Sequence, residues 1–172
     1  MSSELRVDKI IPTDGVPTGG GGGIIQIKQT FLDTGVNTTT SGSFTDITGM
    51  SVSITPKFNT SKIFVMVTLG SVSSSGGVSC GFRLLRDSTL IGNAASTSLQ
   101  AGFTNVYAGS GSSDNYLQSV AFNFLDSPAT TSATTYKLQW RNSSGTTYIN
   151  KFYDGGTNYG GSSTITAMEV SA

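Results

Sequence analysis

Segments in which apolar and polar side chains alternate recur along most of this 172-residue chain. A period of two places successive side chains on opposite faces of a β-strand, whereas an amphipathic helix needs a period of about 3.6. No segment keeps the helical period, and β-branched and aromatic residues dominate the alternating segments. The pattern therefore predicts an all-β fold, an antiparallel β-sandwich of about 8–10 strands.

Two candidate strands have the period of a half-buried strand, in which one face is apolar and the other polar. In Thr135–Asn142 the apolar set is Tyr136, Leu138 and Trp140. In Ile24–Leu32 the apolar set is Ile25, Ile27 and Phe31. These sets are the ones expected to be buried.

Two further candidate strands are apolar on both faces. In Lys62–Leu69 one face carries Ile63, Val65, Val67 and Leu69, and the other carries Phe64 and Met66. In Tyr116–Leu125 the two sets are Val120, Phe122 and Phe124 against Leu117, Ala121 and Leu125. A two-layer sandwich covers one face of each sheet, so the second face needs either a loop of this chain or another subunit. We expect an oligomer interface, with candidate contacts Phe64, Met66, Leu117 and Ala121.

Five consecutive glycines at 19–23 separate a short leader from the alternating segments. Glycine has no side chain to bury and maximal backbone freedom, so the tract is interpreted as a linker. The predicted organisation is an N-terminal anchor at 1–18, the linker at 19–23 and a β-sandwich head at 24–172. The leader is too short to form a core, so its apolar residues are either frayed or docked on another molecule. These candidate anchor residues are Leu5, Val7, Ile10 and Ile11.

Charge and composition argue against several partners. Ten Lys and Arg balance ten Asp and Glu, and no basic cluster occurs, so nucleic-acid binding is not expected. No segment approaches the roughly 18 apolar residues of a membrane span, so no membrane insertion is expected. The single cysteine, Cys80, has no partner in the chain and is expected to be a buried, small apolar residue.

Catalytic chemistry has few candidate groups. The chain contains no histidine, which removes the commonest general base and metal ligand. The ten acidic residues are expected to be solvated or to form turns, which leaves glycan hydrolysis by paired carboxylates as a remote alternative. The sequence therefore predicts a protein that is not an enzyme, with no cofactor and no required metal.

One segment, YINKFYDGGTNYGG, interleaves aromatic residues with amides and a carboxylate, the groups that bind sugars. Its candidate ligand-binding residues are Tyr148, Asn150, Tyr153, Asp154, Asn158 and Tyr159. A second loop offers Tyr107, Asp114, Asn115 and Tyr116. The alternative interpretation of the first segment is a hairpin with core aromatics on either side of an Asp-Gly-Gly turn.

Several phrases of the sequence carry a family resemblance: VDKI in the leader, GIIQIKQT, FTDITGMSVSITP, TSKIFVMVTL, FRLLRDSTLIG and STITAMEVSA. Together they resemble small virion proteins of tailed bacteriophages, notably marine cyanophages, which are described as tail fibre or virion structural proteins. The body is also similar to the jelly-roll trimers of the tumour-necrosis-factor and complement globular-head type, in which one sheet faces the threefold axis.

The resemblance implies a jelly-roll-like head, a homotrimer, and a leader that contacts other virion proteins. It implies a tail fibre or spike made in the bacterial host cytoplasm, located on the virion surface, that attaches to host cell-surface polysaccharide. The alternative is a capsid or tail decoration protein with a purely structural role.

Overall fold

The structure is a computed structural model and describes residues 23–39, 43–74, 79–95, 102–107, 117–152 and 160–171. Within these ranges the chain forms eleven strands in two antiparallel sheets and no helix, which confirms the predicted all-β sandwich. The strands are β1 (Ile24–Leu32), β2 (Val36–Thr39), β3 (Thr45–Ile54), β4 (Lys62–Ser74), β5 (Ser79–Arg86), β6 (Thr89–Ile91), β7 (Thr104–Tyr107), β8 (Gln118–Asp126), β9 (Thr134–Asn142), β10 (Thr146–Ile149) and β11 (Ser163–Val170). The described part of the chain contains no segment that could cross a membrane as an apolar helix.

The first sheet consists of four rows of strands, where a row is one strand or two strands that lie end to end. The long strand β4 pairs with β8 on one side, and with β11 and then β10 on the other. The outermost row is β1 followed by β2, which pair with β11 and β10 respectively. The second sheet has the row order β3, β9, β5, and then β6 and β7, which both pair with β5.

These pairings give jelly-roll connectivity. Three rows contain two strands each, namely β1 with β2, β6 with β7, and β10 with β11, so the chain forms eight rows. Numbered in chain order, rows 1, 8, 3 and 6 lie side by side in the first sheet, and rows 2, 7, 4 and 5 in the second. Eight antiparallel rows in this order are two Greek keys folded into a double sheet. The first and last rows are therefore neighbours, although they lie at opposite ends of the sequence.

The core lies between the two sheets and follows the period of two. In β9 the side chains of Tyr136, Leu138 and Trp140 are at most 3% exposed, as the alternation predicts. In β4 the buried set is Ile63, Val65, Val67 and Leu69. Each such side chain contributes roughly 1.5–3 kcal/mol when removed from water. Cys80 is also fully buried, and burial raises the pKa of its thiol to about 12, so it packs as a neutral, small group.

Two acidic residues contradict the expectation that the acids are solvated or form turns. Glu169 on β11 is fully buried, and its carboxylate accepts hydrogen bonds from the Gln26 amide at 2.6 Å and from the backbone N–H of Lys57 at 2.7 Å. Burial by itself would raise the pKa of Glu169, but these hydrogen bonds, with a longer one from the Phe58 N–H, outweigh it and lower the pKa. The carboxylate thereby joins β1, β11 and the β3–β4 connection.

Asp126 is the second acidic residue that is buried against expectation. At the end of β8 it is 5% exposed and accepts hydrogen bonds from Arg86 at 2.9 Å and from the Tyr136 hydroxyl at 2.7 Å. Burial and the hydrogen bond to Asp126 raise the pKa of Tyr136 above its usual value. The group links the two sheets, because β8 belongs to the first and both partners belong to the second.

Gly70 sits where β4 changes partner from β11 to β10. The pairing of β4 with β8 is irregular between Leu69 and Val72, and a Cβ at Gly70 would overlap the backbone carbonyl of Ser162. Only glycine allows this close approach of two backbones. The residue thus permits two strands to share one row.

Candidate interaction surface

One row of apolar side chains crosses the outer face of the first sheet. Ile27 pairs with Met168, Met168 with Phe64, and Phe64 with Leu125. Paired residues of neighbouring antiparallel strands project from the same face, so these four side chains lie side by side across all four strands. Ile27 and Leu125, at the two ends, are 56% and 54% exposed.

The neighbouring rows extend this surface. Towards one end of the sheet the pairings are Gln29–Thr166–Met66–Asn123 and then Phe31–Thr164–Thr68–Ala121, and towards the other end Ile24–Val170–Lys62. We call the apolar members together the apolar face: Ile24, Ile27, Phe31, Phe64, Met66, Leu125, Met168 and Val170. Among the described residues, five of the nine exposed large hydrophobic side chains belong to it. The surface is therefore a concentration of exposed apolar groups.

The apolar face is almost free of charge. The only charged residue in its four rows is Lys62 at one corner, whose ammonium donates to the Ser127 hydroxyl at 2.7 Å. With strands about 4.8 Å apart and residues about 3.3 Å apart, the four side-chain rows, polar positions included, cover roughly 400 Å². This is comparable with the largest apolar patch of an ordinary monomer, and such patches are often functional contacts.

The outer face of the second sheet is different. It carries the polar residues of β9, and the Asp46 carboxylate binds the ammonium of Lys137 at 2.8 Å and the amide of Gln139 at 2.7 Å. The hydrogen bond from Lys137, followed by that from Gln139, lowers the pKa of Asp46. On β5, the Arg83 guanidinium lies 3.6 Å from the centre of the Phe44 ring. The two outer faces of one sandwich are thus polar on one side and apolar on the other.

The candidate interface residues fall on or beside the apolar face. Phe64 is half-buried and Met66 is 42% exposed, and both point away from the core. Ala121 lies in the same sheet face on β8, and Leu117 is exposed immediately before that strand. The predicted contacts did not include Leu125 or Met168. Leu125 has the same parity along its strand as Leu117 and Ala121, whereas only the pairing of β11 with β4 places Met168 beside Phe64.

The face of β1 is the reverse of the prediction. Ile27 and Phe31 were expected to be buried but are more than half exposed. Thr30 instead points toward the second sheet, where its hydroxyl donates to the Ser51 carbonyl at 2.6 Å. Ile27 and Phe31 keep the alternation but complete the apolar face rather than the core, and Ile25 is half-buried at the register shift of β1.

The candidate ligand-binding residues do not form one site among the described residues. Tyr107 is 59% exposed at the end of β7, and Tyr148 is half-buried on β10 with the Lys151 ammonium 5.3 Å from its ring centre. Seven others lie outside the described residues, as do all four anchor candidates: Tyr153, Asp154, Asn158, Tyr159, Asp114, Asn115 and Tyr116, and Leu5, Val7, Ile10 and Ile11.

Asn150 is buried and hydrogen-bonded to other parts of the fold. It is 4% exposed with φ of 61°, its amide donates to the carbonyls of Leu32 and Thr34, and its side-chain oxygen accepts from the Ser163 hydroxyl at 2.7 Å. Asparagine tolerates this left-handed conformation better than most residues. Its side chain is therefore fully used in holding three chain segments together and does not face a ligand.

The described ranges contain no group of three or more His, Cys, Asp or Glu residues positioned to hold a metal ion. The topology and surface define the molecule as a jelly-roll β-sandwich with one exposed apolar sheet face.

Comparison with protein-family models and with curated proteins finds no match. Among solved structures, the chain is similar to the structure of infectious bursal disease virus Gt strain, with 15% identity and a TM-score of 0.41, over 98% of this chain and 43% of that one. It is also similar to the infectious bursal disease virus VP2 subviral particle, with 17% identity and a TM-score of 0.36, over 87% and 38% of the two chains. The chain spans less than half the length of these chains, and no functional conclusion rests on so remote a similarity.

Proposed function

We propose that this protein is a non-enzymatic structural component of a bacteriophage virion, and that its jelly-roll head assembles with copies of itself through the apolar face. The observation that carries the proposal is the uncharged row Ile27–Met168–Phe64–Leu125, which spans the whole sheet. The resemblance of the leader and strand phrases to small phage virion proteins supports the viral setting.

A second copy is the occupant that best fits the apolar face. The face has no charge pattern that would select a nucleic acid or an anionic lipid, and a neutral apolar surface is complementary to itself. Two such faces packed directly on each other would bury roughly 800 Å², below the 1,200–2,000 Å² of stable interfaces, so a stable assembly needs contacts beyond the face itself. The jelly-roll trimers that the body resembles close around a threefold axis, so the proposed assembly is a homotrimer in which each face meets two neighbours around the axis.

The assembly state is directly measurable. In native buffer at micromolar concentration, light scattering or native mass spectrometry is expected to give three times the 17.8 kDa of the chain. A stable dimer would keep self-association and reject the threefold arrangement. A stable 17.8 kDa monomer would remove the proposal altogether.

The more specific role is attachment to host cell-surface polysaccharide as a tail fibre or spike, in which several heads turn weak single contacts into avidity. The exposed ring of Tyr107 supports this role, since aromatic rings stack on sugars. Purified oligomer is expected to adsorb to host cells and to compete with phage adsorption, and Tyr107→Ala is expected to reduce both. If oligomer that still assembles onto virions fails to adsorb, the protein is instead a decoration protein of the capsid or tail.

A further inference from the structure

The outer edge of β8 is unlike the other three sheet edges. Within the described ranges β8 pairs only with β4, and Val120–Asp126 match Ile63–Leu69 residue for residue. It contains no proline, and its only charged residue is the buried Asp126 at its end. A long, regular and uncharged edge leaves a full set of backbone hydrogen-bonding groups for an added strand.

The remaining edges carry features that prevent strand addition. β1 has an exposed lysine, Lys28, and an irregular register between Ile24 and Gln26. β3 has an irregular register between Asp46 and Ser51, around Gly49 with its φ of 82°. The fourth edge is divided into β6 and β7, of three and four residues. Three of the four edges are thus protected in the ways that natural sheets use, and β8 is not.

The core is also incompletely covered beside β8. Phe122 and Phe124 point inward from this strand but remain half-exposed, and they contact Phe103, with ring centroids 4.5 and 6.1 Å apart. Val106 on β7 is likewise packed against the core and half-exposed. An added strand with apolar side chains on its inner face would cover these groups, since such a strand continues both the sheet and the core layer.

The chain offers one segment for this position. The leader alternates Leu5 and Val7 with Glu4, Arg6 and Asp8, and the alternation ends there because Lys9 has the parity of Leu5 and Val7. The leader joins the head at Gly23, which exchanges two hydrogen bonds with Ser171, its N–H donating to the hydroxyl and its carbonyl accepting from the N–H. That junction lies on the β1 edge of the sheet whose opposite edge is β8.

We propose that residues 4–8 of a neighbouring copy add to β8 as a further strand, with Leu5 and Val7 over Phe122 and Phe124. The fifteen residues from Asp8 to Gly23 span up to about 50 Å, more than three times the roughly 15 Å across one sheet, so the link reaches any β8 edge that the oligomer brings within that distance. The direct path within one copy crosses the apolar face, which the proposed oligomer buries, so the strand comes from a neighbour. To this extent the inference rests on the proposed function.

Hydrogen exchange on the intact protein tests the added strand. Roughly half of the β8 amides face away from β4, and these are expected to be protected in the native oligomer. Leu5→Asp with Val7→Asp is expected to speed their exchange at least about tenfold, while the mass of the oligomer and the exchange of β11 stay unchanged. The matched control, Ser2→Asp with Ser3→Asp, adds the same charge outside the strand and is expected to change nothing.

Fast exchange of half the β8 amides in the native oligomer would overturn the inference. So would equal protection of these amides in the leader variant and in the control, or an equal loss of protection in both. None of these results would contradict self-association. A monomeric native protein would instead remove the proposed function together with this inference.

Crosslinking tests which copy supplies the strand. Arg6→Cys and Asn123→Cys place two thiols on the same outer face of the extended sheet. Treated with a bismaleimide of about 10 Å reach, this double variant is expected to give species of two and three chains on a denaturing gel in excess of those from the Asn123→Cys single variant. Cys80 does not compete, because it is buried and its thiol stays protonated. Crosslinks confined to single chains would assign the strand to the same copy and overturn the exchange between neighbours.

Discussion

Met66→Lys is expected to convert the oligomer into folded monomers. Met66 is 42% exposed in the single chain and points away from the core, so a lysine there leaves the sandwich itself intact. In the oligomer, the apolar face of another copy would cover its ammonium without a counter-charge. An unpaired buried charge costs about 3 kcal/mol or more, which weakens association roughly 100-fold for each contact. Sedimentation over a concentration series measures the change.

The second sheet supplies the control for this experiment. Gln139→Lys places the same side chain on the polar outer face, beside Asp46, and is expected to leave the oligomer intact. Phe64→Lys, in the apolar row, is expected to act as Met66→Lys does. If both apolar-face variants remain oligomeric with native circular dichroism, the interface lies elsewhere on the molecule.

Glu169→Gln is expected to lower the free energy of unfolding by about 2–4 kcal/mol at pH 7, because an amide presents N–H groups where the carboxylate accepts several hydrogen bonds. It is also expected to change the pH dependence. The pKa of Glu169 is lowered in the folded protein, so its contribution is complete above the unfolded pKa of about 4.5 and is lost as pH falls through the folded value. Chemical denaturation at pH 7 and near pH 3 is expected to show a smaller difference between variant and native protein at the lower pH.

Asp46→Asn is the matched control for this carboxylate. The pKa of Asp46 is also lowered, but its side chain is 53% exposed and its partner is a surface lysine. Exposed ion pairs contribute at most about 1 kcal/mol, so this change is expected to have a small effect at either pH. If Glu169→Gln proves as mild as Asp46→Asn, the buried carboxylate is not a determinant of stability.

The alternation of a strand predicts its two faces but not which face meets the core. In β9 the prediction succeeds, because one face is polar and only the other can be buried. In β1 two of the inward positions are polar, since Gln26 binds Glu169 and Thr30 binds the Ser51 carbonyl. Ile27 and Phe31 therefore follow the period and still point outward. The doubly apolar strand β4 shows the same ambiguity, which only the position of the second sheet resolves.

Buried polar groups were the least predictable part of the molecule. The partners of Glu169 lie 112 and 143 residues away along the chain, and Arg86 lies 40 residues from Asp126. No local sequence pattern records contacts between residues so far apart. The general expectation that acidic residues are solvated or form turns was therefore wrong for Glu169 and Asp126. Asn150 gave the same difficulty, since an amide that binds a sugar and one that binds two backbone carbonyls and a serine hydroxyl have the same sequence signal.

Because β11 lies between β1 and β4, the first sheet can be completed only after β11 has been synthesised. β1 has β11 as its only partner in its sheet among the described strands, and about 140 residues of chain separate the two paired segments. Closing such a long loop makes this pairing late and slow. The sheet that presents Phe64, Met66 and Ile27 side by side cannot exist until residues 163–170 have left the ribosome. Before that point β1 is not joined to the β4–β8 pair, so the complete apolar face forms only at a late step of folding.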